Sequence, residues 1–592
     1  MIFLGVNIGH GASAALMIDG VIVLTFQEER FNNIKNFIGY PKKSIQECLD
    51  YVKKNNLIIN QCGLSTIENI LFALKYPFEN YFNIENWLDY YLQFFSKEKK
   101  IEIAIEKFNR VRKNKKIDSF MNFSKVKKKD YFNFSAYRKV CKEAIKKQGR
   151  KLIKEINFID HHTCHAFYAA YAPRIRENKV GILTIDSEGD GLNQTFWILD
   201  KKKKQMKNLI RNGECDLARI YRFITLILKM KPNEHEFKVM GLAPYSKLEY
   251  SEKVYNEVFK NILDVKNCRV VHKNRPKNLF QYLYNKTREH RFDSIAGAVQ
   301  ILVEKISSKL IKQISKKYKL KNFSISGGVS MNIKMNKILS EQKEVNNLYV
   351  APTGTDESLA IGACYYLNRL GHNRPLDNIY LGQKLDNKSI TKVKLSKFFG
   401  SNKNYKIHEK IKHKDVAKIL ANGKIVAVAR GREEFGARAL GNRSILANPY
   451  MDGVVQKINE QIKNRDFWMP FALTILKDHH KKFLHNKKSL DCDFMTIGFD
   501  TLKRNYNSIK NGTHPYDKSV RPQILNKEFN QNYYSIINEF YKITKVPALL
   551  NTSLNLHGLP ISSKLKDVVL TFKNSDLEYL YLEDYFLIKK II

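Results

Sequence analysis

One pattern constrains this chain more than any other: short apolar runs end in loops of glycine and aspartate, and helical stretches follow. It recurs in "VGILTIDSEGDG" (180–191), in "NFSISGGVSMN" (322–332) and in "LYVAPTGTDESLAIGACYYL" (348–367). Runs this short are strands rather than membrane spans, and strands that alternate with helices specify an α/β fold. Residues 2–8 and 21–27 read as two further strands, joined through "GHGASAALMIDG" as turn, strand and a tight turn at Asp19-Gly20. A helix is expected over 295–314. Residues 68–150 break the rhythm, being basic, aromatic and helix-like, and read as a helical insertion without chemistry of its own. From about 376 to 400 the sequence turns polar and irregular, which sets the expected domain boundary there. The remainder alternates again, through "KIVAVARGREEFGARALGNRSILANP" (424–449) to "VPALLNTSLNLHGLPI" (546–561). No solenoid-period repeat is evident.

A length of 592 residues calls for two or three domains. No apolar run reaches the roughly 18 residues that span a bilayer, and the first residues lack the basic start of a signal peptide. Eight scattered cysteines without a CxxC pair fit a reducing, cytoplasmic setting. The formal charge of +44 would suit acidic partners or phosphate-bearing substrates. Its lysines are spread throughout and do not alternate with aromatics, so a nucleic-acid groove is not expected.

The chemistry concentrates in a few segments. In "IDHHTCHAFYAAYAP" (159–173), His161 and His165 lie four apart and share one face of a helix, which is metal-ligand spacing. Solvated or capping histidines show the same spacing, so the pair alone leaves the question open. Asp186 and Asp356 both stand just past apolar strands, where open α/β sheets place ligands, although each also suits a turn or helix cap. Two imidazoles with one or two carboxylates suit Fe(II), Mn(II) or Zn(II). Gly327 and Gly328 precede a helix and offer free N–H groups to an anion. "GREEFGARALGNRSILANP" gathers Arg430, Arg432, Arg438 and Arg443 among glycines, as bidentate phosphate clamps would be. Lys463 and Arg465 add cationic groups, and "NTSLN" adds hydroxyl and amide donors.

In order along the chain, "GVNIGHGASAAL", "EERF", "HHTCHA", "IDSEGDG", "EFKVMGLAPY", "SGGVSMN", "DESLAIGA", "GREEFGARALGNRSI", "IKNRDF", "RPQ" and "NTSLN" together resemble the O-carbamoyltransferases of the nodulation-factor, cephalosporin and aminoglycoside type. The resemblance implies an actin-like ATPase domain over 1–380, akin to the tRNA threonylcarbamoyl transferases, and a YrdC-like domain over 395–592. It implies that carbamoyl phosphate and ATP, with Mg, form carbamoyladenylate, pyrophosphate and phosphate in the second domain. The carbamoyl group then passes to a hydroxyl of a sugar or secondary metabolite at an iron site in the first. Carried over, the Fe(II) (or Mn) ligands are His161, His165, Asp186 and Asp356, and His10 is the active-site histidine. Gly327, Gly328 and Asn332 match the nucleotide loop of the transfer site. Arg438, Arg443, Lys463, Arg465 and Ser553 match the phosphate-handling motifs, with Asn442, Arg521 and Asn551 beside them as nucleotide-site residues.

Departures from the family pattern are Ala437 in place of proline, Met469-Pro470 in place of Arg-Pro, Arg465-Asp466-Phe467 at the "REF" position and Glu357-Ser358 after the last aspartate. They bear on the adenylating site more than on the metal site. The 68–150 insertion is long for the family and is a place for acceptor recognition. A homodimer is compatible with the resemblance. The alternatives are a tRNA threonylcarbamoyl-type enzyme, which the charge would favour, and a non-enzymatic regulator, which would have lost ligands.

Overall fold

The computed structural model of the chain describes residues 1–69, 71–92, 97–112, 120–385, 390–399, 404–463, 466–583 and 586–590. It divides into two units: Met1–Glu29 with Asn36–Leu376, and Arg30–Lys35 with Asp377–Ile592. The assignment of residues 30–35 to the second unit was not foreseen from sequence.

The first unit holds two five-stranded sheets. In one, β1 (Ile2–Asn7), β2 (Ser13–Ile18), β3 (Val21–Gln27), β4 (Ile59–Leu64) and β5 (Ile153–Phe158) lie in the order β3-β2-β1-β4-β5. β1 pairs antiparallel with β2 and parallel with β4, so the chain runs as a meander on one side and by crossovers on the other. The second sheet is built from β6 (Lys179–Gly189), β7 (Leu192–Asp200) and β8 (Gln205–Asn212). A small hairpin follows, β9 (Leu263–Lys266) with β10 (Arg269–His272), before the sheet is completed by β11 (Asn322–Ser326) and β12 (Asn347–Val350). Its order, β12-β11-β6-β7-β8, repeats the first sheet's plan, with three antiparallel strands and two parallel ones beside the first. The duplication lies in topology alone, which is why no sequence repeat announces it.

β1 is buried along its whole length, as a central strand covered on both faces must be. The helices His161–Tyr171 and Leu359–Leu367 are almost wholly buried in the same unit. They approach closely at Gly362, where an added Cβ would lie 2.0 Å from the Cys164 carbonyl oxygen. The insertion is helical, with Leu71–Lys75, Ile84–Leu92, Lys97–Arg112 and Phe134–Gly149. Its interior is aromatic: Phe78, Phe82 and Trp87 have ring centroids 4.8–6.2 Å apart. The helix expected over 295–314 runs longer, over Phe292–Tyr318.

The second unit is a mixed eight-stranded sheet. Its strands are β13 (Tyr405–His408), β14 (Val426–Ala429), β15 (Arg443–Ala447) and β16 (Ala472–Leu476), then, beyond a two-stranded ribbon of β17 (Phe499–Asp500) and β18 (Ser519–Val520), β19 (Pro522–Leu525), β20 (Ala548–Ser553), β21 (Tyr579–Leu582) and β22 (Phe586–Lys590). The order is β13-β22-β21-β14-β15-β20-β16-β19, parallel only at β14–β21 and β16–β19. Ala427, Ala429, Ile445, Ala447, Leu550 and Leu580 form its core with Val568 and Phe572 of the helix Leu565–Lys573. Among the described residues no helix is long and apolar enough to cross a membrane, and all eight cysteines are buried free thiols.

Candidate active site

The histidine helix begins at Asp160, whose carboxylate accepts the Thr163 N–H at 2.8 Å and caps the first turn. Asp190, in the loop after β6, accepts N–H groups from His161 (2.7 Å), Ile67 (3.0 Å) and Glu68 (2.7 Å). That carboxylate therefore fixes the start of the helix against the start of the insertion. The helix turns His161 and His165 toward Asp186, near the end of β6, and Asp356, in the turn before the helix Leu359–Leu367. One ligand atom from each of the four lies within 4.8 Å of every other. His165 Nε2 is 3.0 Å from Asp186 Oδ2 and 3.6 Å from Asp356 Oδ1, and His161 Nε2 is 3.8 and 3.7 Å from the same two atoms.

The donor set fits a divalent cation. Burial opposes a charged imidazolium at His165, but the Asp186 and Asp356 carboxylates outweigh it and push the pKa up to about 9. Burial likewise opposes ionisation of Asp186, and the two imidazoles nevertheless hold it well below the usual carboxylate range. Two adjacent carboxylates, Asp186 buried and Asp356 half-buried, thus demand positive charge, which protons on the imidazoles or one divalent cation between neutral imidazoles can provide. His161 Nε2 is a buried nitrogen without a hydrogen-bond partner among the described residues. A Cβ on Gly189 would lie 2.2 Å from the His161 ring, so glycine leaves the cradle for that imidazole. The remaining ring nitrogen of His165 lies 3.4 Å from the Ser326 hydroxyl, an outer support of the kind that orients a ligating imidazole.

His10 stands at the rim, its Nδ1 3.3 Å from Asp356 Oδ2 and its Nε2 without a hydrogen bond among the described residues. Burial would lower its pKa, but the Asp356 contact raises it to about 9. Asn7 shapes this turn, donating through Nδ2 to the carbonyls of His10 (2.7 Å) and Asp356 (3.0 Å). The Gly327-Gly328 turn adjoins the same cluster, since a Cβ on Gly328 would lie 3.2 Å from Asp186 Oδ1. Asn332 has a structural occupation: its Oδ1 caps the helix Ile333–Glu341 by accepting from Met335 N at 3.0 Å, and its Nδ2 donates to Gln300 Oε1 at 2.9 Å.

In the second unit, Lys463 and Ser553 come together, with Lys463 Nζ 3.3 Å from Ser553 Oγ and 3.0 Å from the Asn555 carbonyl. Arg438 makes no hydrogen bond or ion pair among the described residues, and burial lowers its pKa to about 10. Arg443 differs from the clamp expected of it. It is fully buried, and its guanidinium donates to the carbonyls of Arg430 (2.6 Å), Asn442 (2.9 Å), Gly431 (3.2 Å) and Ser563 (3.3 Å). Its fork is occupied by backbone carbonyls of the loop itself and of Gln383 and Ser563. Asn442 donates to the Arg432 carbonyl at 2.8 Å, Asn551 to the Ala439 carbonyl at 3.1 Å, and Arg521 directly precedes β19. Arg465 lies outside the described residues.

Sequence reasoning passed over Glu434, whose Oε1 accepts the N–H groups of Leu440, Asn442 and Arg443 at 2.7–3.2 Å and folds the arginine loop around itself. An acid among four arginines was the signal. It also passed over Asn555, the last residue of "NTSLN".

Comparisons with known proteins follow the same division. The carbamoyltransferase N-terminus family matches residues 3–365 and the carbamoyltransferase C-terminus family residues 417–589. An uncharacterised protein of Methanocaldococcus jannaschii is 28% identical over 596 residues, covering 99% of each chain. Nodulation protein NolNO of Sinorhizobium fredii is 28% identical over 98% of this chain and 79% of its own. The 3'-hydroxymethylcephem-O-carbamoyltransferase of Amycolatopsis lactamdurans is 27% identical over 42% of this chain and 45% of its own. With both family domains present in order, the chain belongs to the carbamoyltransferase family and is a transferase enzyme.

Proposed function

We propose that this protein is an ATP-dependent O-carbamoyltransferase that makes carbamoyladenylate from carbamoyl phosphate and Mg-ATP in its second unit and delivers the carbamoyl group to a hydroxyl in its first. The observation that carries the reading is the buried group of His161, His165, Asp186 and Asp356, with a histidine and a Gly-Gly turn at its edge. The repeated sheet order of the first unit supports an actin-like fold. The mixed sheet with its arginine loop supports a YrdC-like domain over 395–592. The relative named as a cephem O-carbamoyltransferase supports a hydroxyl acceptor. The eight buried thiols support a cytoplasmic setting.

His161, His165, Asp186 and Asp356 would hold Fe(II) or Mn(II), which when bound supplies a Lewis acid to oxygen ligands. The chain's own residues do the rest. His10 presents Nε2 to the acceptor's hydroxyl and would take its proton in the neutral form, which a cation bound at Asp356 would favour by offsetting the carboxylate that raises its pKa. The Gly327-Gly328 turn, beside Asp186, would offer backbone N–H groups to anionic oxygens of the transferred nucleotide. In the second unit, Arg438 is a guanidinium whose charge an anion would balance. Lys463, held by Ser553 and Asn555, brings a second cation, while Arg443 and Glu434 hold the loop's shape.

The test needs no acceptor. Full-length protein with ATP and carbamoyl phosphate, and without tRNA, is expected to release pyrophosphate. His165→Ala should keep that release while its bound transition metal, measured by mass spectrometry, falls. No pyrophosphate from the wild type, or its loss together with metal in a folded His165→Ala protein, would overturn the two-site reading.

A further inference from the structure

Within the first unit the insertion contributes a second polar group that the reaction described above does not use. Arg222, on the helix Leu217–Ile227, has its guanidinium over the Trp87 ring, 5.2 Å from the centroid. One of its terminal nitrogens lies 3.6 Å from Glu79 Oε2, an ion-pair distance beyond hydrogen bonding. Although its side chain is only 22% exposed, Arg222 makes no hydrogen bond among the described residues, and its Nε is wholly buried. Five N–H donors in so enclosed a position normally find oxygens. Glu79 is held from behind, since Asn233 Nδ2 donates to its Oε2 at 3.1 Å, and its other oxygen accepts nothing among the described residues.

This group sits beside the His10 turn. Residues 36–39 form a strap: Gly39 exchanges two backbone hydrogen bonds with Gly9 at 3.0 and 3.1 Å, next to His10. Ile38 exchanges two with the Asn80 side chain at 2.7 and 2.9 Å, next to Glu79. Asn36 donates to the Asn233 carbonyl at 2.8 Å. One strap of four residues therefore ties the acceptor-side histidine to the carboxylate–guanidinium pair. The electrostatic influence of Glu79 and Arg222 on His10 agrees with that proximity.

We propose that Glu79 and Arg222 are acceptor-specificity residues, and that together they read a vicinal pair of hydroxyls, the pattern of a sugar ring. A carboxylate oxygen accepts from one hydroxyl while the guanidinium donates to its neighbour, which a side-by-side acceptor and donor suit and a lone hydroxyl cannot complete. Arg222 and Glu79 balance each other, so the pair carries no net charge to select an anionic group and offers one acceptor beside one donor. Trp87 beneath the guanidinium keeps it flat and fixed. The inference rests on the transfer reaction proposed above for its meaning as an acceptor site, and is measured separately from it.

Ligand-observed saturation-transfer NMR on the full-length protein tests it, with trans-cyclohexane-1,2-diol and methyl β-D-glucopyranoside as diols and with cyclohexanol and acetate as single-hydroxyl and anionic counterparts. Both diols are expected to give a signal about fivefold or more above cyclohexanol, the ratio one added hydrogen bond supplies. Acetate should give none. Arg222→Gln and Glu79→Gln should each bring the diols down to the cyclohexanol level, and either variant suffices if the other fails to fold. Diol signals no higher than cyclohexanol, diol signals unchanged in a folded variant, or an acetate signal lost with Arg222→Gln would each overturn the proposal. Failure of the wild type to release pyrophosphate would overturn the carbamoyladenylate reading alone and leave the diol measurement standing.

Discussion

Three histidines in five residues are read by their neighbours rather than by their type. His162 points away from the acidic cluster, with Nδ1 2.8 Å from the Thr184 hydroxyl. Burial first, then the charges of His161 and His165, lower its pKa to about 3. In the unfolded chain a histidine takes its proton near pH 6.5. The unfolded state therefore binds more protons between those values, so the contribution of a neutral His162 is present above about pH 6.5 and is lost as the pH falls toward 3. The slope is up to about 1.4 kcal/mol per pH unit. Urea unfolding at pH 7, 5.5 and 4.5 should show His162→Gln losing less stability on acidification than the wild type. Parallel pH profiles for the two proteins would remove His162 from the acid response. The i, i+4 spacing of His161 and His165 was legible from sequence, as was the shared face. That His162 serves a threonine on β6 and not the cluster required the pairing of that strand with the helix.

At the scale of elements, the site depends on how closely two helices lie. His161 and His165 ride on one, and Asp356 sits at the entrance of the other. Gly362 permits their approach, because a Cβ there would meet the Cys164 carbonyl at 2.0 Å, far inside van der Waals contact. Gly362→Ala should force the helices apart and shift Asp356 relative to the imidazoles. Mn(II) affinity by calorimetry is expected to fall about 10–100-fold, as when the supports of metal ligands are disturbed. Far-UV circular dichroism should change little. Unaltered Mn(II) affinity in this variant would show that the spacing does not depend on that contact. From sequence, Gly362 is one more small residue in "DESLAIGACYYL". The apolar runs announced the strands and helices, because burial on both faces leaves a continuous signature. The hairpin Leu263–Lys266 with Arg269–His272 was not announced, since strands of four residues carry too short an alternation to stand out.

For the whole molecule, chain order and spatial order part company at residues 30–35. Arg30 belongs to the second unit, is 3% exposed, and donates to the carbonyls of Gly436 at 2.7 Å and Ile561 at 3.4 Å. Arg30→Met keeps the stem and removes the fork, leaving those buried carbonyls short of donors. A loss of about 2–4 kcal/mol is expected, the cost of a broken buried polar network. Hydrogen exchange should show it as lowered protection in residues 377–592. Protection loss confined to residues 36–376 would contradict that division of the chain.

The sequence by itself determined the α/β character and the helical insertion, both encoded locally in the periodicity of apolar residues, and offered His161, His165, Asp186 and Asp356 only as candidates that the order of the family motifs joined into one set. Only the tertiary structure decided what meets what. His10 and Asp356 stand 346 residues apart in the chain and touch. Arg443 bonds backbone carbonyls as distant in sequence as Gln383 and Ser563, while Glu434 accepts the N–H groups of the same loop. The two matching sheets share a strand order without sharing residues, since many sequences satisfy one pattern of burial. Long-range contacts of this kind follow from strand pairing and helix packing, which depend on the whole folded arrangement and leave no mark in any short stretch of sequence.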